Sequence, residues 1–328
     1  MSPLNPEMPA SPSSKKTFRT RISVPGLTEG VAWGLAMASL TGVLGQISWL
    51  FDPMSHFIPH YFIGALMLTV LFGVQRRIVP TGVFAGLAVV HLIILQPHLF
   101  PSTRPPERSG APQLRVLWWN LQSNNARLPE AIEFLSKRGA DVIALGEVTP
   151  NMLSNLGPLE TSHPYSIKEP RSDPFGIALY SRYPIFEPEV LAFGPDELPT
   201  LEGQLLIEGQ VVRIQATHAV PPIGFRGIRQ RNAQLRWLAQ RFDSNRLPTI
   251  LLGDLNTTPW SQAFRQFIDR SGLVNQPPGF FPTWPAPLSP VGLPIDHCLV
   301  TASLRVHSKQ TGPPLGSDHS PIIINVGW

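Results

Sequence analysis

The chain begins with long apolar runs and ends with short ones. From Val31 to Phe51 there is no charged residue, and Leu35, Leu40, Val43, Leu44, Ile47, Trp49 and Leu50 stand among small residues. Two further runs follow, Phe57 to Val74 and Val79 to Leu95. About 20 apolar residues cross a bilayer, with a lower limit near 17, so the pattern predicts three transmembrane α-helices. A signal peptide would need a small-residue cleavage site, and Trp49-Leu50-Phe51-Asp52-Pro53 offers none. Gly34, Ala38 and Gly42 recur every four residues and suit close helix packing. His91, inside the third run, is expected to be satisfied by a neighbouring helix.

Beyond Gln113 the apolar runs shorten to strand length. Leu114–Trp119 ends on Asn120, Asp141–Gly146 on Glu147, Val211–Thr217 on His218, and Leu247–Leu252 leads into Gly253-Asp254-Leu255-Asn256. Phe175–Tyr180, Ile295–Val300 with Asp296 at its start, and Ile322–Val326 after Ser317-Asp318-His319 complete the predicted strands. Between them, Leu128–Leu135 and Phe225–Phe242 have helical spacing, the second with Ile228, Leu235, Leu238 and Phe242 inward. Thr257 or Thr258 before Pro259 predicts an N-cap and a helix through Ile268. Polar residues thus gather where strands end, the edge at which α/β sheets bind ligands. Asp254 and Asn256, two apart in extended chain, face one way.

Charge refines the layout. Residues 1–28, with five prolines and Lys15, Lys16, Arg19 and Arg21, cannot build a core and read as a disordered basic tail. Asp52–His56 holds no Lys or Arg, while Arg76-Arg77 separates the second and third runs. By the positive-inside rule the tail and the Arg76-Arg77 turn are cytoplasmic, and three crossings place everything after Leu95 outside. The expected division is a tail at 1–28, membrane helices at 29–96, a stiff Pro-rich linker at 97–112, and one catalytic domain at 113–328. Of the chain's 26 Lys and Arg and 22 Asp and Glu, residues 101–328 hold 20 and 19. No net basic field there argues for nucleic acid. The single cysteine, Cys298, sets no disulfide framework.

Taken together and in order, Trp119-Asn120, Ala144-Leu145-Gly146-Glu147-Val148, Gly176–Arg182, Thr217-His218, Gly253-Asp254-Leu255-Asn256, Ile295-Asp296-His297 and Ser317-Asp318-His319-Ser320-Pro321 resemble the exonuclease–endonuclease–phosphatase superfamily. The resemblance implies a four-layer α/β/β/α sandwich of two packed β-sheets, and metal-assisted hydrolysis of a phosphate ester. Three spans followed by this domain also look like membrane proteins associated with glycopeptide-antibiotic resistance.

On that resemblance Glu147, Asn120 and Asp318 hold Mg²⁺ or Mn²⁺, hard cations that suit oxygen ligands. His319 is the general base, Asp296 orients it, Asp254 positions the attacking water, and Asn256 hydrogen-bonds the metal shell or the phosphate. A second assignment makes Asp254 the base. His218 donates to the phosphoryl oxygens, its acid partner being Asp173 as the nearest candidate. Arg226, Arg229 and Arg231 are candidates for a phosphate tail, against the plainer reading of a solvated helix face. Trp284, in Phe281-Pro282-Thr283-Trp284-Pro285, resembles a family phrase beside the active site. The expected function is a phosphohydrolase (phosphodiesterase or phosphatase) anchored in the cytoplasmic membrane, acting outside on a phosphorylated lipid or head group. The alternatives are a membrane-tethered endonuclease or exonuclease, and a catalytically inactive binding module.

Overall fold

A computed structural model describes residues 24–100, 113–242 and 247–327. The basic residues of the expected tail and most of the expected linker lie outside the described residues.

Helix α1 (Val24–Leu44) starts inside the stretch expected to be a tail. It ends at Leu44 instead of running to Phe51; turns and the short helix α2 (Asp52–Ser55) follow. Helix α3 (Ile58–Val74) and helix α4 (Ile78–Leu99) make a hairpin beside α1, and α4 carries Pro97 within it, so the linker begins later than expected. Three crossing helices were expected. Among the described residues two are long and apolar enough, Gly26–Leu44 with 19 residues and Ile78–Leu99 with 22, whereas Ile58–Val74 is a shorter apolar helix of 17 residues. Met37, Met67, Val70, Val79 and Ile93 point outward and are each more than half exposed. Inward, Ala32, Ala65, Phe72, Phe84 and Ala88 pack together. His91, expected to be satisfied by a neighbouring helix, meets Ser39 Oγ at 3.0 Å through Nε2, while its Nδ1 is buried without a partner. At one end of the bundle Arg77 pairs with Glu29 at 2.7 Å. At the other end Ile58, Tyr61 and Leu95 form one apolar cluster with Trp260, far along the chain.

The remaining described residues build two six-stranded sheets. The first runs β11-β12-β1-β2-β4-β3, from β1 (Gln113–Asn120), β2 (Val142–Gly146), β3 (Tyr165–Glu169), β4 (Ile177–Ser181), β11 (Arg305–Thr311) and β12 (Ile322–Gly327). The second runs β5-β6-β7-β8-β10-β9, from β5 (Ile185–Phe193), β6 (Leu198–Ile207), β7 (Gln210–His218), β8 (Thr249–Asp254), β9 (Val274–Asn275) and β10 (Asp296–Val300). Strand alternation explains the apolar run Val116–Trp119 in β1. Leu114, Val116 and Trp118 face the second sheet, while Leu117 and Trp119 face helices α5 (Leu128–Lys137), α6 (Pro150–Asn155) and α7 (Gly157–Ser162). Helices α8 (Gly224–Ala239) and α9 (Gln262–Ser271) cover the other sheet through Leu235, Leu238, Phe264 and Phe267. These are the four layers expected. The predicted cap at Thr257 or Thr258 is corrected: Ser261 caps α9, its Oγ accepting from the Phe264 N–H, and α9 begins only at Gln262.

Candidate active site

Register places the polar strand ends. In the second sheet β7 and β8 are parallel with His218 opposite Asp254, and β8 and β10 are antiparallel with Asp254 opposite Asp296. Three side chains thus stand in one row across adjacent strands. The close approach depends on Gly253, where a Cβ would lie 2.2 Å from the Thr217 carbonyl oxygen. In the first sheet β1 and β2 are parallel with Asn120 opposite Gly146, which leaves Glu147 just past the strand end. Glu147 has φ of +57°, a left-handed conformation that costs a non-glycine residue on the order of 1 kcal/mol or more and clusters at functional sites. Asn256, at φ of +48°, tolerates it better.

The two rows meet at the Asn120 amide. Its Nδ2 donates to Glu147 Oε1 at 3.1 Å and lies 3.5 Å from Asp254 Oδ2. Around that same Asp254 oxygen stand His218 Nε2 at 3.5 Å and His319 Nε2 at 3.7 Å. Asp254 Oδ1 accepts the Asn256 N–H at 2.8 Å. His319 Nδ1 donates to Asp296 Oδ2 at 2.8 Å, and Trp118 Nε1 donates to Asp296 Oδ1 at 2.6 Å. Asp254, Asp296, His218 and His319 are all buried.

Burial works against the charge on His319, but Asp296 and then Asp254 and Asp318 outweigh it and push the imidazole up to about 10. Burial, followed by the charge of Asp296, raises Asp254 to about 8. Burial instead lowers His218, whose Nδ1 donates to the Pro174 carbonyl at 3.1 Å. Asp173, expected as its acid partner, is engaged elsewhere: Arg171 holds it at 2.7 Å and the Phe175 N–H at 2.9 Å.

Glu147, Asn120 and Asp318 are tied to one loop. Ser123 donates to Glu147 Oε2 through N–H and Oγ, the Gln122 N–H donates to Asn120 Oδ1, and the Asp318 N–H donates to Gln122 Oε1. Trp284 Nε1 donates to Asp318 Oδ2 at 3.0 Å, while Asp318 Oδ1 is buried without a partner. A buried orphan carboxylate oxygen on Asp318, tied through the Gln122-Ser123 loop to the half-buried Glu147, fits a hard divalent cation. Asp254, Asp296 and His319 also come within 4.8 Å of one another. Both oxygens of Asp296 are already committed to His319 and Trp118, so that trio reads as a hydrogen-bonded relay.

The three arginines do not join this group. Arg231 is fully buried, with Nη2 on Asp52 Oδ2 at 2.6 Å and Nη1 on the Asn256 carbonyl at 2.7 Å. An ion-paired, enclosed guanidinium is not available to a phosphate tail. Arg226 and Arg229 are exposed and line a cavity of about 960 Å³ with Ile47, Trp49 and Phe225, and none of Asn120, Glu147, Asp254 or His319 lines it. Sequence reasoning missed Trp118, Gln122, Ser123 and Asp52. A lone acid between two apolar runs was the one available signal for Asp52.

A model of the Endonuclease/Exonuclease/phosphatase family matches residues 117–319. No curated protein matches the chain. Among solved structures, an endonuclease/exonuclease/phosphatase from Beutenbergia cavernae DSM 12333 is similar at 22% identity, covering 66% of this chain and 72% of its own, with a TM-score of 0.55. D. rerio TDP2 complexed with a single-strand DNA product is similar at 16% identity over 66% and 99%, TM-score 0.54. Sphingomyelinase C from Streptomyces griseocarneus is similar at 19% identity over 65% and 99%, TM-score 0.50. At such identities these likenesses speak for the fold alone.

Proposed function

Starting from the premise that the chain belongs to the Endonuclease/Exonuclease/phosphatase family, whose members hydrolyse phosphate esters, we propose that it is a membrane-anchored, divalent-cation-dependent phosphohydrolase acting on a phosphorylated lipid or its head group. One observation carries the membrane half of this reading. The active-site loop rests on the turn between α1 and α3, with His56 Nδ1 3.0 Å from Thr258 Oγ1 and Trp260 Nε1 donating to the His56 carbonyl. A site built against the end of an apolar helix bundle stays at the headgroups. The outward apolar faces of α1, α3 and α4 support a bilayer location, since so much exposed apolar surface is costly in water. At 17 residues α3 is at the lower limit of about 17 for a crossing, and we read it as the return span. Arg77 and Glu29 then sit at the cytoplasmic end and the catalytic domain outside. The near balance of charge in residues 101–328 supports a lipid over a duplex, whose nonspecific affinity rests on cationic contacts.

In the proposed chemistry Glu147, Asn120 and Asp318 would hold Mg²⁺ or Mn²⁺. Bound there, the cation polarises a phosphoryl oxygen and offsets charge on the leaving oxygen. Asp254, which burial and Asp296 raise to about 8, takes the proton of the attacking water in its ionised form. His319, already protonated at neutral pH against Asp296, supplies positive charge and an Nε2–H donor where the phosphoryl oxygens gain charge, whereas His218, kept neutral by burial and with its Nδ1–H on the Pro174 carbonyl, presents Nε2 as an acceptor. Of the two bases the sequence allowed, these electrostatics favour Asp254. Asn256 Nδ2 donates to the Ala219 carbonyl at 2.9 Å, which leaves its second amide hydrogen for the metal shell or the phosphate.

A polyprenyl pyrophosphate is the substrate we put first. The test compares phosphate release from it in mixed micelles with nicking of supercoiled plasmid, using full-length protein with Mg²⁺ and an Asp254→Ala control. Lipid turnover that the control abolishes is expected. Nicking that the control abolishes, without lipid turnover, makes the tethered nuclease the better reading.

A further inference from the structure

Asp52 lies in none of the strands that carry the site, yet it is fully buried, and so is its partner Arg231, 179 residues away. Each guanidinium nitrogen of Arg231 makes a hydrogen bond: Nη2 on Asp52, Nη1 on the Asn256 carbonyl, and Nε on Asn232 Oδ1 at 2.7 Å. The other Asp52 oxygen accepts the Ala263 N–H at 3.2 Å, at the start of α9. His56, held neutral by burial that brings its pKa to about 4, accepts the Thr258 N–H on Nδ1 at 3.4 Å. Gln46 Nε2 donates to the Trp260 carbonyl at 3.2 Å. The stretch that joins the first two apolar helices therefore holds the segment from Asn256 to Ala263 at Thr258, Trp260 and Ala263, and through Arg231 at Asn256.

Asn256 transmits this hold to the chemistry. On one side its N–H fixes Asp254 Oδ1, and on the other its carbonyl is fixed by Arg231. Asn256 tolerates its left-handed backbone, and these two hydrogen bonds select it. Arg231 cannot do this alone, because a buried guanidinium without its acid is an uncompensated charge that must move or take up water.

We infer that Asp52 is a positioning residue for Asp254, acting through Arg231 and the Asn256 backbone, so that the membrane segment completes the active site instead of merely tethering it. The inference rests on the reading of Asp254 as the reacting carboxylate. What separates it from a purely structural ion pair is an apolar replacement, since exchanging a buried ion pair for fitting hydrophobic side chains leaves stability similar or higher. The double variant Asp52→Leu/Arg231→Met should therefore melt within about 5 °C of wild type, yet leave the Asn256 carbonyl without its donor.

Full-length protein in detergent with Mg²⁺ is compared by hydrogen-exchange mass spectrometry and by turnover of bis(p-nitrophenyl) phosphate. We expect exchange in a peptide covering 254–261 to rise about tenfold or more while β8 stays protected. A kcat lower by about tenfold with KM within about threefold should accompany it, as for a misplaced reacting group. If the double variant does not fold, Asp52→Asn, which keeps an acceptor for Nη2, is measured below its melting temperature and should show the same two changes to a smaller degree. Exchange and kcat equal to wild type in the folded variant would overturn the inference. The exchange result decides it even if the probe ester is not hydrolysed, which would count against the proposed function and not against the positioning.

Discussion

Replacing Asp296 by Asn removes one charge and keeps the shape, and its cost should depend steeply on pH. In the native protein Asp296 takes hydrogen bonds from His319 Nδ1 at 2.8 Å and Trp118 Nε1 at 2.6 Å and is fully buried. The Trp118 bond survives in the variant, because the amide oxygen still accepts. The imidazolium loses its counter-ion, so His319 returns to or below its ordinary 6.5 from about 10. That gap is worth roughly 5 kcal/mol of preference for the protonated ring, an upper figure for one buried pair. A group whose pKa is raised by folding stabilises fully below its unfolded value, here about 6.5, and loses that contribution as pH rises toward about 10. Asp254 adds a slope of the same sign, since folding raises it to about 8 and its ionisation meets the charge of Asp296. Chemical unfolding of metal-free, full-length protein in EDTA should therefore show wild type about 3–5 kcal/mol more stable than Asp296→Asn at pH 6, narrowing to under about 1 kcal/mol by pH 10. A difference that stays constant across that range would refute the reasoning and assign Asp296 a packing role through Trp118. With Mg²⁺ present, turnover should fall by about 10²- to 10⁴-fold, the usual contribution of a proton-handling side chain.

Glu147→Gln should keep the fold but lose activity by orders of magnitude, and the rise in melting temperature that Mg²⁺ gives wild type should vanish, which differential scanning measures directly. With Asp254 as the base, kcat/KM falls on the acid side with a slope of one, and that limb should persist in the residual activity of His319→Ala; its disappearance there would return the base role to His319. A cysteine at exposed Glu189 should react with a membrane-impermeant thiol reagent in intact spheroplasts, the native Cys298 being silent because it is buried and its thiol pushed up to about 12; labelling only after lysis would place the domain in the cytoplasm.

Much of the site could be read from the chain because its residues sit at the ends of buried strands, where a run such as Thr249–Leu252 stops on a polar side chain and the two-residue period fixes its direction. Strands with weak patterns escaped that reading. β5, Ile185–Phe193, is mostly exposed and interrupted by Pro188, and β11 is a polar edge strand, so neither carries a continuous apolar face. Of the three spans expected, only two helices among the described residues are long and apolar enough to cross, and their extent was misread as well, since apolar composition continues past Leu44 into turns that contact Trp260 far along the chain. Arg231 was misread for a related reason. Its neighbours Arg226 and Arg229 are exposed, and although Ile228 and Leu235 put Arg231 on the inward stripe of α8, the acid that lets a guanidinium be buried there, Asp52, is 179 residues away. His218 shows the limit from another side, because a backbone carbonyl, that of Pro174, replaces the expected carboxylate, and backbone acceptors leave no trace in sequence.

The contact between Asp52 and Arg231 also bears on how the protein is made. Synthesis proceeds from the N-terminus at about 5–20 residues per second, so on the topology proposed here Asp52 emerges on the outer side many seconds before its partner, 179 residues later. During that wait the acid has only water and headgroups around it. Loop Asn256–Ala263 can take its final shape only where that acid already stands, so a catalytic domain left on the other side of the bilayer would be missing one of its own core residues. Arg231 would then be an unpaired buried charge, a defect large enough to keep the domain open to proteolysis. Correct insertion of the first helix pair is in this way a condition for finishing the enzyme, and a chain inserted the wrong way round would remain unfinished.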